Sequence, residues 1–131
     1  MPTVRLPLKY WQAMKMKTKS EDSLSLHLRL RIVSGEKISL GPGKVELLVL
    51  LAETGSIGEA AQRMKMSYMK AWSLIQTMKP LVAATRGGQN GGGVELTEAG
   101  RKALGLYQKM ERDSLRACQG SWKKLRSLLR D

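Results

Sequence analysis

At 131 residues with a formal charge of +12, the chain is long enough for one domain with a real core and too short for two sizeable ones. The basic excess predicts attraction to polyanions, nucleic acid first and an anionic membrane surface second. One cysteine, Cys118, and one histidine, His27, exclude an intrachain disulfide and a cysteine-based zinc site. No apolar run reaches the roughly 20 residues that span a bilayer, and no signal-peptide core opens the chain, so a cytoplasmic protein without a membrane partner is expected.

Residues 1–22 carry Leu6, Leu8, Tyr10, Trp11, Met14 and Met16 among lysines and arginines. They read as a basic tail or a short amphipathic helix that docks on a neighbouring subunit. Residues 24–32 then alternate apolar and polar without interruption, with Leu24, Leu26, Leu28, Leu30 and Ile32 on one side. Period two over that length predicts a strand, placed to pair with a hairpin further on. His27 falls on its polar side, without a companion ligand for a metal.

Leu40-Gly41-Pro42-Gly43 is a helix entrance. Val45, Leu47, Leu48, Leu50, Leu51 and Ala52 form the core-facing stripe of the helix that follows. Thr54-Gly55 closes it, and Ser56 caps the next helix, with Glu59 in capping-box position. Small Ala60 and Ala61 let two helices approach closely, as a helix-turn-helix pair requires. Met66 lies in the turn, Ser67 caps a third helix running to about Met78, and Pro80 stops it. Ala71, Leu74, Ile75 and Met78 make its buried seam, and Trp72, on the border of that seam, is assigned to packing. Ser67, Tyr68, Lys70 and Ser73 lie off the seam toward the end that enters the major groove in helix-turn-helix docking.

Residues 81–85 and 94–96 are short strand-compatible runs around Arg86-Gly87-Gly88-Gln89-Asn90-Gly91-Gly92-Gly93. The glycines and Asn90 tolerate positive φ. No Gly-Lys-Ser/Thr follows, so the loop is read as a wing rather than a nucleotide cradle. As a wing it sets Arg86, Gly87, Gly88, Gln89 and Asn90 against the sugar-phosphate backbone or minor groove, with Ser56 contributing from the earlier turn. Thr97 caps a final helix in which Leu104, Tyr107, Met110, Leu115 and Cys118 are apolar. A break is expected at Gly120, after which Trp122, Leu125, Leu128 and Leu129 share one side. Cys118 is read as a helix-face residue rather than a redox sensor. With no carboxylate pair placed for catalysis, and Glu53 and Glu59 read as turn and capping residues, no enzyme, metal or cofactor is expected.

The fold class is therefore mainly α with a small β-sheet: a winged helix-turn-helix over residues 23–100, preceded by the segment 1–22 and followed by a long C-terminal helix over 101–131 suited to dimerisation. The Glu-Thr-Gly-Ser-Ile turn at 53–57, Ala60-Ala61, Met66-Ser67-Tyr68, Ala71-Trp72 and the glycine-rich wing ending in Leu96-Thr97-x-x-Gly100 occur together and in order. In this the chain resembles the N-terminal DNA-binding domain of the ModE molybdate-responsive regulators, and more distantly the LysR-type winged helix. The resemblance implies a homodimeric transcription regulator on palindromic double-stranded DNA, with Ser67, Tyr68 and Lys70 on the recognition helix and Arg86 to Asn90 on the wing. Full-length ModE regulators continue into molybdate-binding domains where this sequence stops at Asp131. No oxyanion site is assigned, and the chain reads as a stand-alone DNA-binding version of the family. The competing expectation is a protein-interaction module, or a non-specific architectural DNA-binding protein working with a partner.

Overall fold

The computed structural model describes residues 24–35, 37–85 and 93–130. Segment 1–22 and the wing residues Arg86, Gly87, Gly88, Gln89 and Asn90 lie outside these residues. In chain order the described elements are β1 (Ile32–Ser34), β2 (Lys37–Leu40), α1 (Pro42–Thr54), α2 (Ile57–Arg63), α3 (Tyr68–Gln76), a 3-10 turn (Lys79–Leu81), β3 (Val82–Thr85), β4 (Gly93–Leu96) and α4 (Glu98–Leu129). The chain is thus mainly helical, with two antiparallel two-stranded sheets, β1-β2 and β3-β4.

Helix α1 is the centre of the core. Pro42 sits in its first turn, where a missing N–H is harmless. Val45, Leu47, Leu48, Val49, Leu50 and Leu51 are all buried, so this helix is enclosed on more sides than the expected stripe. It ends at Gly55, whose φ of 68° lies in the left-handed region and whose N–H bonds the Leu51 carbonyl at 2.9 Å. Around α1 pack α2, β2, β4 and α4. Ala60, Ile75, Met78, Val82, Val94, Leu96, Leu104 and Tyr107 complete the core.

Segment 24–31 departs from the strand expectation. It has no regular ladder; the strand begins only at Ile32 and pairs with β2, not with the β3-β4 hairpin. Leu26, Leu28 and Leu30 are nevertheless half-buried while His27, Arg29 and Arg31 are exposed. The alternation records packing against the body of the domain rather than hydrogen-bonded pairing. One tie is explicit: the Tyr107 hydroxyl donates to the Leu30 carbonyl at 2.6 Å.

Helix α4 runs unbroken through Gly120 for 32 residues, where a break was expected. A lone glycine costs about 1 kcal/mol in a helix, too little to interrupt so long a run. Only the first half of the helix enters the core: Gly100, Leu104, Tyr107 and Gln108 are buried, whereas Met110, expected on the apolar side, is exposed. No helix among the described residues is long and apolar enough to cross a membrane.

Candidate nucleic-acid interface

Two serines build the helix-turn-helix. The Ser56 hydroxyl accepts from the Glu59 N–H at 3.1 Å, and the Ser67 hydroxyl accepts from the Lys70 N–H at 3.0 Å. Each such cap contributes about 1 kcal/mol to its helix. Ser56 is further fixed by Thr54, whose hydroxyl oxygen accepts the Ser56 N–H at 3.1 Å and donates back to the Ser56 carbonyl at 3.1 Å. Ser56 and Ser67 therefore act first as caps, and each has its acceptor side committed to its own helix.

Between α2 and α3 the backbone turns through Lys65, which has a φ of 57°, the one positive φ outside glycine among the described residues. The Met66 N–H reaches back to the Ala61 carbonyl at 3.0 Å and closes the turn. Buried Ala60 and Ala61 on α2 and buried Ala71 and Ile75 on α3 bring the pair together.

Burial of Ala71 and Ile75 turns the other side of α3 outward. Tyr68, Lys70 and Ser73, all sequence-predicted, are exposed. So are Met69 and Trp72, at 64% and 42%. Trp72 is thereby moved from the packing role assigned above: Ala71 and Ile75 fill the seam, and the indole is left on the flank facing solvent. Met69 carries no surface signal in the sequence, since methionine is a common filler of cores. Lys65 and Lys70 have no carboxylate partner among the described residues, whereas Arg63 is held between Glu53 and Glu59 at 3.8 and 3.7 Å. The free cations of the helix pair thus sit at the turn and in the first turn of α3.

The hairpin follows α3 closely. Strand β3 pairs with β4 in the register Val82↔Leu96 to Thr85↔Gly93. Its base is tied on two sides: the Val94 N–H bonds the Gly55 carbonyl at 3.1 Å, and the Thr97 N–H bonds the Leu81 carbonyl at 2.9 Å. Thr97 also caps α4, its hydroxyl accepting from the Gly100 N–H at 3.0 Å and donating to the Pro80 carbonyl at 2.8 Å. Helix, turn, helix and hairpin are thereby locked into one body.

The solved structures contain a match to this arrangement. A point variant of Lactococcus lactis ZitR superposes with a TM-score of 0.50 at 17% identity, covering 89% of this chain and 81% of that one, which shows the winged helix-turn-helix fold. No protein-family model matches the chain. Among curated proteins it is 36% identical over 88 residues to the transcriptional regulator ModE of Haemophilus influenzae, 63% of this chain and 34% of that protein. It is 37% identical over 78 residues to the molybdenum transport protein ModE of Azotobacter vinelandii, 56% and 29% respectively. The chain is a homologue of the N-terminal region of the ModE regulators. A third relative, the molybdenum-pterin-binding protein MopB of Rhodobacter capsulatus, is 40% identical over 77 residues, 55% of this chain and 28% of that protein. The ModE-like chain spans about a third of the length of the curated relatives it matches, and these relatives carry the names of regulators and molybdenum-handling proteins, not of enzymes.

Proposed function

We propose that this chain is the DNA-binding part of a sequence-specific transcription regulator that acts as a homodimer, in molybdate-related gene control. The observation that carries the reading is the outward face of Ser67-capped α3, with Lys70 free of a carboxylate partner at its first turn, followed by a hairpin tied to Gly55 and Leu81. Helix-turn-helix domains present that end of the second helix to base edges in the major groove. Tyr68, Lys70 and Ser73 supply donors for phosphates and bases there. Ser56 and Ser67 orient the helices and stand next to the backbone. Arg86, Gly87, Gly88, Gln89 and Asn90 are assigned to the wing contact on the sequence pattern alone. Dimerisation is supported by α4, whose distal half exposes Leu125, Leu128 and Leu129; a second copy covers such a stripe with the fewest assumptions.

Selection of bound fragments from the source organism's genomic DNA, at about physiological salt, tests the proposal. Recovery of a two-fold symmetric sequence with half-sites about one helical turn apart is the expected result. Tight binding without sequence preference overturns it in favour of an architectural protein. The exposed stripe of α4 favours one further reading, an interaction module, and capture of a partner protein at salt that abolishes DNA binding is its signature.

A further inference from the structure

Large exposed apolar side chains among the described residues fall in three places: Ile32 and Val33 on β1, several leucines and Met110 on α4, and Tyr68, Met69 and Trp72 on α3. The last group is the unexpected one, since three of the first five positions of a nine-residue helix expose rings and a thioether on a strongly basic chain. Scattered exposed apolar residues need no explanation, but these cluster at the N-terminal half of the helix assigned above to the major groove. Met69 and Trp72 stand three residues apart and so lie on one face, with Trp72 on the edge next to buried Ile75 and Met69 turned further from the seam of Ala71 and Ile75. Ser73 and Gln76 continue that face a turn later.

We infer that Met69 and Trp72 form an apolar reading surface for the C5-methyl groups of thymine; the inference rests on the function proposed above. The thymine methyl is the apolar group on the major-groove edge of the bases, and everything else displayed there is a hydrogen-bond donor or acceptor. At the tip of α3, the Ser67 hydroxyl accepts from its own helix, and Lys70 projects from the other flank. The centre of the first turn therefore offers the groove a flexible thioether, which adapts to small apolar targets, with an indole edge beside it. Gln76 is placed to pair with an adenine further along the same face, in the two-pronged manner glutamine uses for that base. The half-site consequently contains thymines under the first turn of α3.

The test uses the full chain and the duplex recovered by the genomic selection. Each thymine of a half-site is replaced in turn by uracil, which lacks the methyl and keeps every hydrogen-bonding group, and affinity is read by fluorescence anisotropy. Wild type loses roughly fourfold per contacted methyl, the amount that burial of one such group contributes. Met69→Ala binds the thymine and uracil duplexes equally at the position under its side chain, Met69→Leu restores the difference, and Trp72→Ala abolishes it at the neighbouring position. Both side chains are exposed, so circular-dichroism melting of the variants stays close to wild type. Sequence-specific binding that ignores uracil, or a thymine preference that survives Met69→Ala, overturns this inference and leaves the proposed function standing; the surface then belongs to a protein partner. Absence of sequence-specific binding removes both.

Discussion

Gly100 shows how much one missing methyl group decides. A Cβ built at this position lies 2.1 Å from the Leu81 carbonyl oxygen, and the atom it meets is backbone, which cannot turn aside. The same carbonyl accepts the Thr97 N–H, so the clash falls on the joint between hairpin and long helix. Gly100→Ala is expected to destabilise the chain by about 3 kcal/mol, the upper range for forced overpacking, measurable as a lower midpoint in urea unfolding. Gly120→Ala, with nothing within 4 Å of its Cβ, is the control and should instead raise stability slightly through helix propensity. Residue chemistry of this local kind was legible in the sequence: Ser56, Ser67 and Thr97 cap their helices where a hydroxyl precedes an apolar periodic run, and Gly55 ends α1 where a left-handed residue was needed. The reason for glycine at 100 was not, because the clash it avoids is with a residue 19 positions away in the chain (Leu81).

Elements were less legible than residues, and the failures share a cause. Period two in residues 24–31 reports which side chains are covered, not what the backbone pairs with, and the covering elements include α4 through Tyr107. The exposure of Trp72 was hidden because Ala71 and Ile75 together fill a seam the sequence would equally allow a tryptophan to border. Within α4, burial creates a titration that no pattern announces. Glu111 is pushed up to about 7 from 4.5 by burial, with Arg112 opposing the shift; Tyr107 beside it is raised to about 12 by its own burial first and by the Glu111 charge second. Glu111 thus holds its proton in the folded chain at pH values where the unfolded chain has released it. Its contribution to stability is complete below about pH 4.5 and is lost as pH rises through about 7. Between pH 5 and pH 8 the wild-type Tm should therefore fall, and in Glu111→Gln, neutral throughout, it should fall less. Equal slopes in the two proteins would assign the pH dependence to a group other than Glu111.

At the scale of the whole molecule, the division of labour along the chain is clear in charge and apolarity. The first half of α4 belongs to the core, while the second half carries Lys123, Lys124 and Arg126 alongside the exposed Leu125, Leu128 and Leu129. Under the proposed function this face is the partner surface; the sequence conveyed a long C-terminal helix there, but with a break at Gly120 that the structure does not have. If the chain assembles as proposed, Leu125→Glu combined with Leu128→Glu is expected to shift it from dimer to monomer in sedimentation and to weaken operator binding at least tenfold, since one half-site contact is lost, while helix content is kept. Retention of the dimer would move the interface off this stripe.

The clamp at Thr97 has a mechanical consequence. Its hydroxyl and amide fasten the start of α4 to Pro80 and Leu81, in the turn that follows α3. Beyond Gln108, the last buried residue, the helix runs on to Leu129 as an arm of roughly 32 Å at 1.5 Å per residue. A tilt of about 5° at its root sweeps the far end through roughly 3 Å, and the relation works in reverse. Under the proposed function, whatever grips the distal end of α4 acts with leverage on the body that carries α3, so a force applied far from DNA bears on the aim of the helix proposed to read it.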